Sequence, residues 1–158
     1  MIKQSNIKLN GQLTTIRYFN IGVCPSKWLH IQDSCFKIST NSLNWNAAKS
    51  ACETLGSKLA MIKSQAVQQA LAPKISTHTW IGLHRDPKDN SRWLWVDGTK
   101  PTYTNWDRGE PNNAGQNEAC GYMRPGSGWN DAHCTYSTRY ICEIAGKWES
   151  AISVTLSC

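Results

Sequence analysis

Seven cysteines, at positions 24, 35, 52, 120, 134, 142 and 158, constrain this chain of 158 residues more than any other feature. Cysteine at that density belongs in an oxidising compartment, where thiols pair, and it points to a secreted, extracellular protein. Six cysteines allow fifteen pairings, and spacing alone does not choose among them. A seventh is left over, and Cys158 is expected either to link two chains or to remain a free thiol. Residues 1–6 carry neither an apolar core segment nor a small-residue cleavage site, so a secretory leader is expected to have been removed. No apolar run is long enough to read as a membrane span.

Apolar residues make up 40% of the chain and charged residues 18%, which fits one domain able to bury a core. The formal net charge is +6. Basic residues Lys3, Lys8, Arg17 and Lys27 stand in residues 1–32 without an acid among them, whereas most acids fall after residue 76. This front reads as a solvated surface. Without basic clusters or a stacking motif the sequence gives no nucleic-acid module.

Three segments are expected. Residues 1–23 form an N-terminal extension without cysteine or tryptophan, and Asn10-Gly11 reads there as a hairpin turn between β-type runs. Residues 24–145 form the cysteine-rich body. Residues 146–158 form a C-terminal extension in which Ile152, Val154 and Leu156 alternate with polar residues, as on a half-buried strand. Within the body, Asn41-Ser42 is expected to cap a first helix running to about Leu55, with Trp45, Ala48, Cys52 and Leu55 on one face and Gly56 as its stop. Ser64 caps a second, Ala66 to Ala72, ended by Pro73. Short β-type runs follow at Thr79 to Leu83, Trp93 to Val96 and Arg139 to Glu143. The interval 98–130 is loop by composition, and a loop of that length in a compact domain is usually functional.

That loop gathers hard oxygen donors: Glu110, Asn112, Asn113 and Glu118, then Asn130 and Asp131. Calcium takes six to eight oxygens from carboxylates, amide carbonyls and water, so the three carboxylates with two of these amides supply most of a shell. Histidine and cysteine are missing from the set, which argues against zinc. Elsewhere His78, His84 and His133 read as ordinary histidines. Without a nucleophile paired to a base, a serine elbow or a phosphate-cradling glycine loop, the sequence does not read as an enzyme. Trp28, Trp45, Trp80, Trp93, Trp95 and Trp129 read as core and loop packing.

Taken together, Trp80-Ile81-Gly82-Leu83, Glu110-Pro111-Asn112, Trp129-Asn130-Asp131 and the order of the cysteines make residues 24–145 resemble the C-type lectin-like domain. The resemblance implies an α+β fold: two helices, two small antiparallel sheets and a long calcium-binding loop region, braced by disulfides. It implies the pairs Cys52–Cys142, Cys120–Cys134 and, as in long-form members, Cys24–Cys35. Glu110, Asn112, Glu118, Asn130 and Asp131 match the family's principal calcium ligands, which also bind the sugar, and Pro111 matches a cis proline.

The Glu-Pro-Asn motif implies a mannose-, fucose- or N-acetylglucosamine-type sugar in preference to galactose. Loop 113–119 offers no aromatic ring to a galactose face, although Tyr122 and Trp106 stand elsewhere as candidate stacking rings. Arg85 and Asn113 occupy positions that would supply carboxylates to auxiliary calcium ions, so one calcium is expected, even with Asp86 nearby. The implied function is calcium-dependent carbohydrate binding, used to recognise or agglutinate glycans, with a disulfide-linked homodimer or larger oligomer through Cys158 as an added expectation. The alternative keeps the fold as a protein-, mineral- or ice-binding module.

Overall fold

The computed structural model describes residues 2–9, 12–126, 128–145 and 147–156, and of 2–9, 12–23 and 147–156 the backbone alone. Strands β1 (Ile2–Leu9) and β2 (Gln12–Val23) pair antiparallel with Leu9 opposite Gln12. The expected Asn10-Gly11 turn lies outside the described residues, as does Cys158. A small hairpin follows, β3 (Leu29–Ile31) and β4 (Ser34–Ile38), and then α1 (Trp45–Thr54), β5 (Lys58–Leu59) and α2 (Gln65–Leu71). The body closes with β6 (Thr79–Asp86), β7 (Asp89–Trp95), β8 (Cys120–Met123), β9 (Trp129–Ala132) and β10 (Arg139–Ala145). The last strand, β11 (Lys147–Leu156), returns along β2 with Lys147 opposite Val23 and Leu156 opposite Thr14.

Helix α1 begins later than the sequence suggests. Its cap is Asn44, whose side chain accepts from the Ala47 N–H at 2.9 Å, not Asn41-Ser42. Leu43 exchanges backbone hydrogen bonds of 3.0 and 3.1 Å with Thr138, which holds the chain extended past residue 42. Trp45, Ala48 and Cys52 are buried along the helix, but Leu55 is the C-terminal cap and 50% exposed, so it leaves the expected apolar stripe. Gly56, at φ +65°, then turns the chain as only glycine does readily. Helix α2 starts at Ser64 as read, its hydroxyl accepting from Val67, and passes into a 3-10 turn over Ala72–Lys74 where Pro73 intervenes.

The two expected antiparallel sheets of the body are one mixed sheet. Its strand order is β3-β4-β10-β6-β8-β9, with β5 also on β10 and β7 also on β6. The join is a parallel pairing, Arg139 opposite Thr79 and Tyr140 opposite Trp80, which short β-type runs in sequence cannot reveal. The remaining sheet is three-stranded and antiparallel, β1-β2-β11.

Alternation along the central strands divides the core in two. Tyr140, Cys142, Trp80 and Tyr122 pack with Trp45, Ala48 and Cys52 of α1. Ile141, Ile81 and Met123 pack with Val67 and Leu71 of α2 and with Trp95 and Trp129. Three buried indoles find partners: Trp45 Nε1 donates to Ile81 O, Trp80 Nε1 to Leu43 O and Trp129 Nε1 to Gln68 Oε1, at 2.9, 3.1 and 2.8 Å, whereas the Trp93 indole nitrogen has none. Gly82 has a steric reason within Trp80-Ile81-Gly82-Leu83, because a Cβ there would lie 2.6 Å from the Leu59 carbonyl oxygen. Three disulfides brace this frame: Cys24–Cys35, Cys52–Cys142 and Cys120–Cys134.

Candidate functional site

The loop from β7 to β8 is pinned before it reaches the acidic cluster. Trp129 N–H donates to Asn105 O at 2.7 Å, and Asp107 N–H donates back to Trp129 O at 2.9 Å. Gly128 allows that approach, since a Cβ at this position would run into the backbone oxygen of Asn105. Asp107 Oδ1 accepts from the Gly128 N–H at 2.7 Å. Glu110 N–H then donates to Asp107 O at 3.0 Å, and the Glu110–Pro111 peptide bond is cis.

Beyond it the loop folds around Asp131 of β9, whose side chain is fully buried. Asp131 Oδ1 accepts from the Asn112 N–H at 3.1 Å, and Oδ2 from the Asn113 N–H at 3.0 Å. Oδ2 also meets Arg85 Nη2 at 2.9 Å. Glu110 receives the Asn112 backbone and side-chain N–H groups, one on each carboxylate oxygen, both at 3.1 Å. The Ala114 N–H is shared between Asn112 Oδ1 and Glu118 Oε2, at 2.8 Å each. Asn113 adopts the left-handed conformation at φ +50°, and its Oδ1 accepts from the Glu118 N–H at 3.1 Å, closing the turn.

Glu110, Asn112, Glu118 and Asp131 are thus joined in one hydrogen-bonded loop. Asn130 precedes Asp131 on β9 and faces Tyr122 of β8 directly across the ladder, where its Nδ2 donates to the Tyr122 hydroxyl at 2.9 Å. Its Oδ1 is buried without a hydrogen-bond partner. Such an atom ordinarily costs about 1–3 kcal/mol, so it asks for a partner that the protein does not supply. The electrostatics point the same way. Burial raises the Glu110 carboxyl above its usual range, and the nearby negative charges of Asp131 and Glu118 add to the effect. Among the described residues no three His, Cys, Asp or Glu side chains form a metal cluster by themselves. A cation held here would draw on amide oxygen as well as carboxylate, which is the chemistry of calcium rather than of zinc.

Arg85 is the residue whose part the sequence did not disclose. It stood out there only as a missing carboxylate. In the structure its guanidinium ties three segments together: Nη2 to Asp131, Nε to Glu118 O at 2.7 Å and Nη1 to Asn90 O at 2.9 Å. Its face lies 4.7 Å from the Trp93 ring centroid. Asp86 does not turn toward the cluster but pairs with Arg92 at 2.9 Å.

Neither candidate stacking aromatic is fully exposed. Tyr122 is 6% exposed, and Trp106 is half-buried against Trp93 and Trp129. The histidines also have local roles. His78 packs on Tyr122 with centroids 4.7 Å apart, and burial lowers its basicity. His84 Nδ1 lies 2.8 Å from Arg85 O, and His133 Nδ1 lies 2.6 Å from Thr135 Oγ1.

Comparison with known proteins agrees with this architecture. The family model described as the Lectin C-type domain matches residues 41–144. The low affinity immunoglobulin epsilon Fc receptor of Mus musculus is 41% identical over 123 residues, which are 77% of this chain and 37% of the receptor. The chain therefore spans little more than a third of that relative's length. The cow C-type carbohydrate-recognition domain of CD23, solved in the presence of an oligosaccharide, superposes with a TM-score of 0.76 at 32% identity, covering 80% of this chain and 99% of that one. A calcium-independent type II antifreeze protein superposes with a TM-score of 0.74 at 29% identity, covering 80% and 98%. The chain belongs to the C-type lectin domain family.

Proposed function

We propose that residues 24–145 form a calcium-dependent carbohydrate-recognition domain that holds one calcium ion and, with it, a mannose-, fucose- or N-acetylglucosamine-type sugar. The observation that carries this reading is the unpartnered Oδ1 of Asn130, on the same strand as Asp131, which itself lies close enough to Glu110 to raise its carboxyl along with Glu118. Glu110, Asn112, Glu118, Asn130 and Asp131 would hold the ion, which when bound offers direct coordination to sugar hydroxyl oxygens. The protein's own part is hydrogen bonding. Glu110 and Glu118 accept from hydroxyl groups, and the Asn112 and Asn130 amides donate to hydroxyl oxygens. The sugar preference rests on Glu110 and Asn112 as they stand, on loop 113–119 having no aromatic residue, and on the burial of the Tyr122 ring. The proposal includes an extracellular location, to which the three disulfides contribute, and chains paired through Cys158.

Replacing Asn130 with alanine removes the unpartnered oxygen without touching Asp131 or the loop's backbone hydrogen bonds. Calcium affinity, measured by calorimetry, is expected to fall roughly 100-fold or more, beyond the 10- to 100-fold typical of losing an outer-shell partner. Sugar binding should disappear with it, while thermal unfolding in chelator stays near that of the parent. An Asn130→Ala protein that binds calcium as tightly as the parent would refute the assignment.

A second reading has one observation in its favour. Arg85 and two backbone N–H groups already satisfy Asp131, so the loop closes without a bound cation. On that reading the surface binds a non-sugar partner, such as a protein, a mineral or ice, without calcium. A parent protein with no measurable calcium binding would favour it.

A further inference from the structure

We infer that Tyr122 is a positioning residue for the calcium–sugar site, its hydroxyl accepting from the Asn130 amide in the orientation that leaves oxygen free for a cation. The inference rests on the calcium reading above and concerns a residue outside the five ligands.

An asparagine amide is nearly symmetric in shape, so rotation by half a turn exchanges an acceptor for a pair of donors at almost no steric cost. For a cation site the two orientations are opposites: Oδ1 inward attracts the ion, Nδ2 inward repels it. In this structure the Tyr122 oxygen, acting as an acceptor, goes with the first of the two. Tyr122 and Asn130 are directly opposed in the β8–β9 ladder, where facing side chains are nearest neighbours. The phenol oxygen takes one N–H of Nδ2 at 2.9 Å, and Oδ1 is left buried without a partner. The reverse orientation would pair Oδ1 with the phenol hydrogen and turn both N–H groups away from Tyr122. The observed one leaves an oxygen unsatisfied, which is unfavourable unless a cation or another donor arrives.

The phenol itself is held firmly. Trp80 meets its ring edge-on with centroids 5.7 Å apart, His78 packs against it at 4.7 Å, and the side chain is 6% exposed. The hydroxyl is therefore a fixed anchor rather than a rotor at the surface. It leaves the second N–H of Nδ2 free to donate to a sugar hydroxyl, so one contact serves both halves of the site.

The test is Tyr122→Phe, which removes the hydroxyl and keeps the ring in its aromatic contacts. Calcium affinity is expected to fall by about 10-fold, the usual scale for losing an outer-shell partner that orients a ligand. Unfolding in chelator should remain within a degree or two of the parent, and in the calcium-free protein the side-chain amide NMR signals of Asn130 should shift or broaden. The same change made in an Asn130→Asp background should have little effect, because a carboxylate offers oxygen whichever way it turns. A Tyr122→Phe protein whose calcium affinity lies within about twofold of the parent overturns the inference, as does an equal loss in the Asn130→Asp background. If the parent fails to bind calcium, the metal reading falls, and this inference with it.

Discussion

Replacing Arg85 with alanine is expected to cost about 3–5 kcal/mol of stability, the range for stranding one member of a buried ion pair. The Asp131 side chain has no exposure and that of Arg85 only 10%, so solvent cannot take the place of the lost guanidinium. The same change also frees the Glu118 and Asn90 carbonyls and uncovers the Trp93 ring. Guanidinium-induced unfolding in chelator reads the loss, and calcium should restore part of it by placing charge near the abandoned carboxylate. Arg85→Lys should recover only a fraction, since an ammonium cannot span three acceptors or stack as a planar fork does. A loss below about 1 kcal/mol for the alanine variant would mean that the pair behaves like a surface salt bridge and does not hold the loop.

Opening Cys52–Cys142 by replacing both cysteines with serine is expected to remove roughly 4–5 kcal/mol. The two residues are 90 apart in sequence, and the chain-entropy model gives about that much for a closure of this length. The bond joins α1 to β10, the strand through which the two halves of the mixed sheet meet. Cys24–Cys35 and Cys120–Cys134 close loops of 11 and 14 residues, for which the same model gives about 3 kcal/mol each. The order of the three losses is therefore as informative as their size. Thermal unfolding of the three double-serine variants should rank Cys52–Cys142 as the most damaging. An equal or smaller loss than for the Cys24–Cys35 variant would show that its role in joining the halves of the sheet has been misjudged.

What the sequence made legible follows the range of each interaction. Ser64 sits directly before its apolar run, so the α2 cap could be read locally, and the structure keeps it. The α1 cap could not, because its position depends on the bridge from Leu43 to Thr138 across the fold. The parallel join of β10 to β6 is hidden for the same reason. The acidic loop was visible as a cluster of oxygen donors, yet composition alone did not say which of them meet. The resemblance supplied the ligand set and the cysteine pairs. Arg85 was noticed for what it lacks. Its ion pair with Asp131 arises from the adjacency of β6, β8 and β9, which no local pattern encodes. Tyr122 stood out as a ring for a sugar, but cross-strand register turns its hydroxyl to Asn130 instead.

Calcium and sugar are expected to bind together at Glu110, Asn112, Glu118, Asn130 and Asp131. The direct measurement is retention of the unmodified chain on immobilised mannose, first with calcium and then with excess chelator. The expected result is retention in calcium, full release by chelator, and displacement by free mannose or fucose at lower concentration than by galactose. Retention that persists in excess chelator, or no retention on any sugar with calcium present, would contradict it.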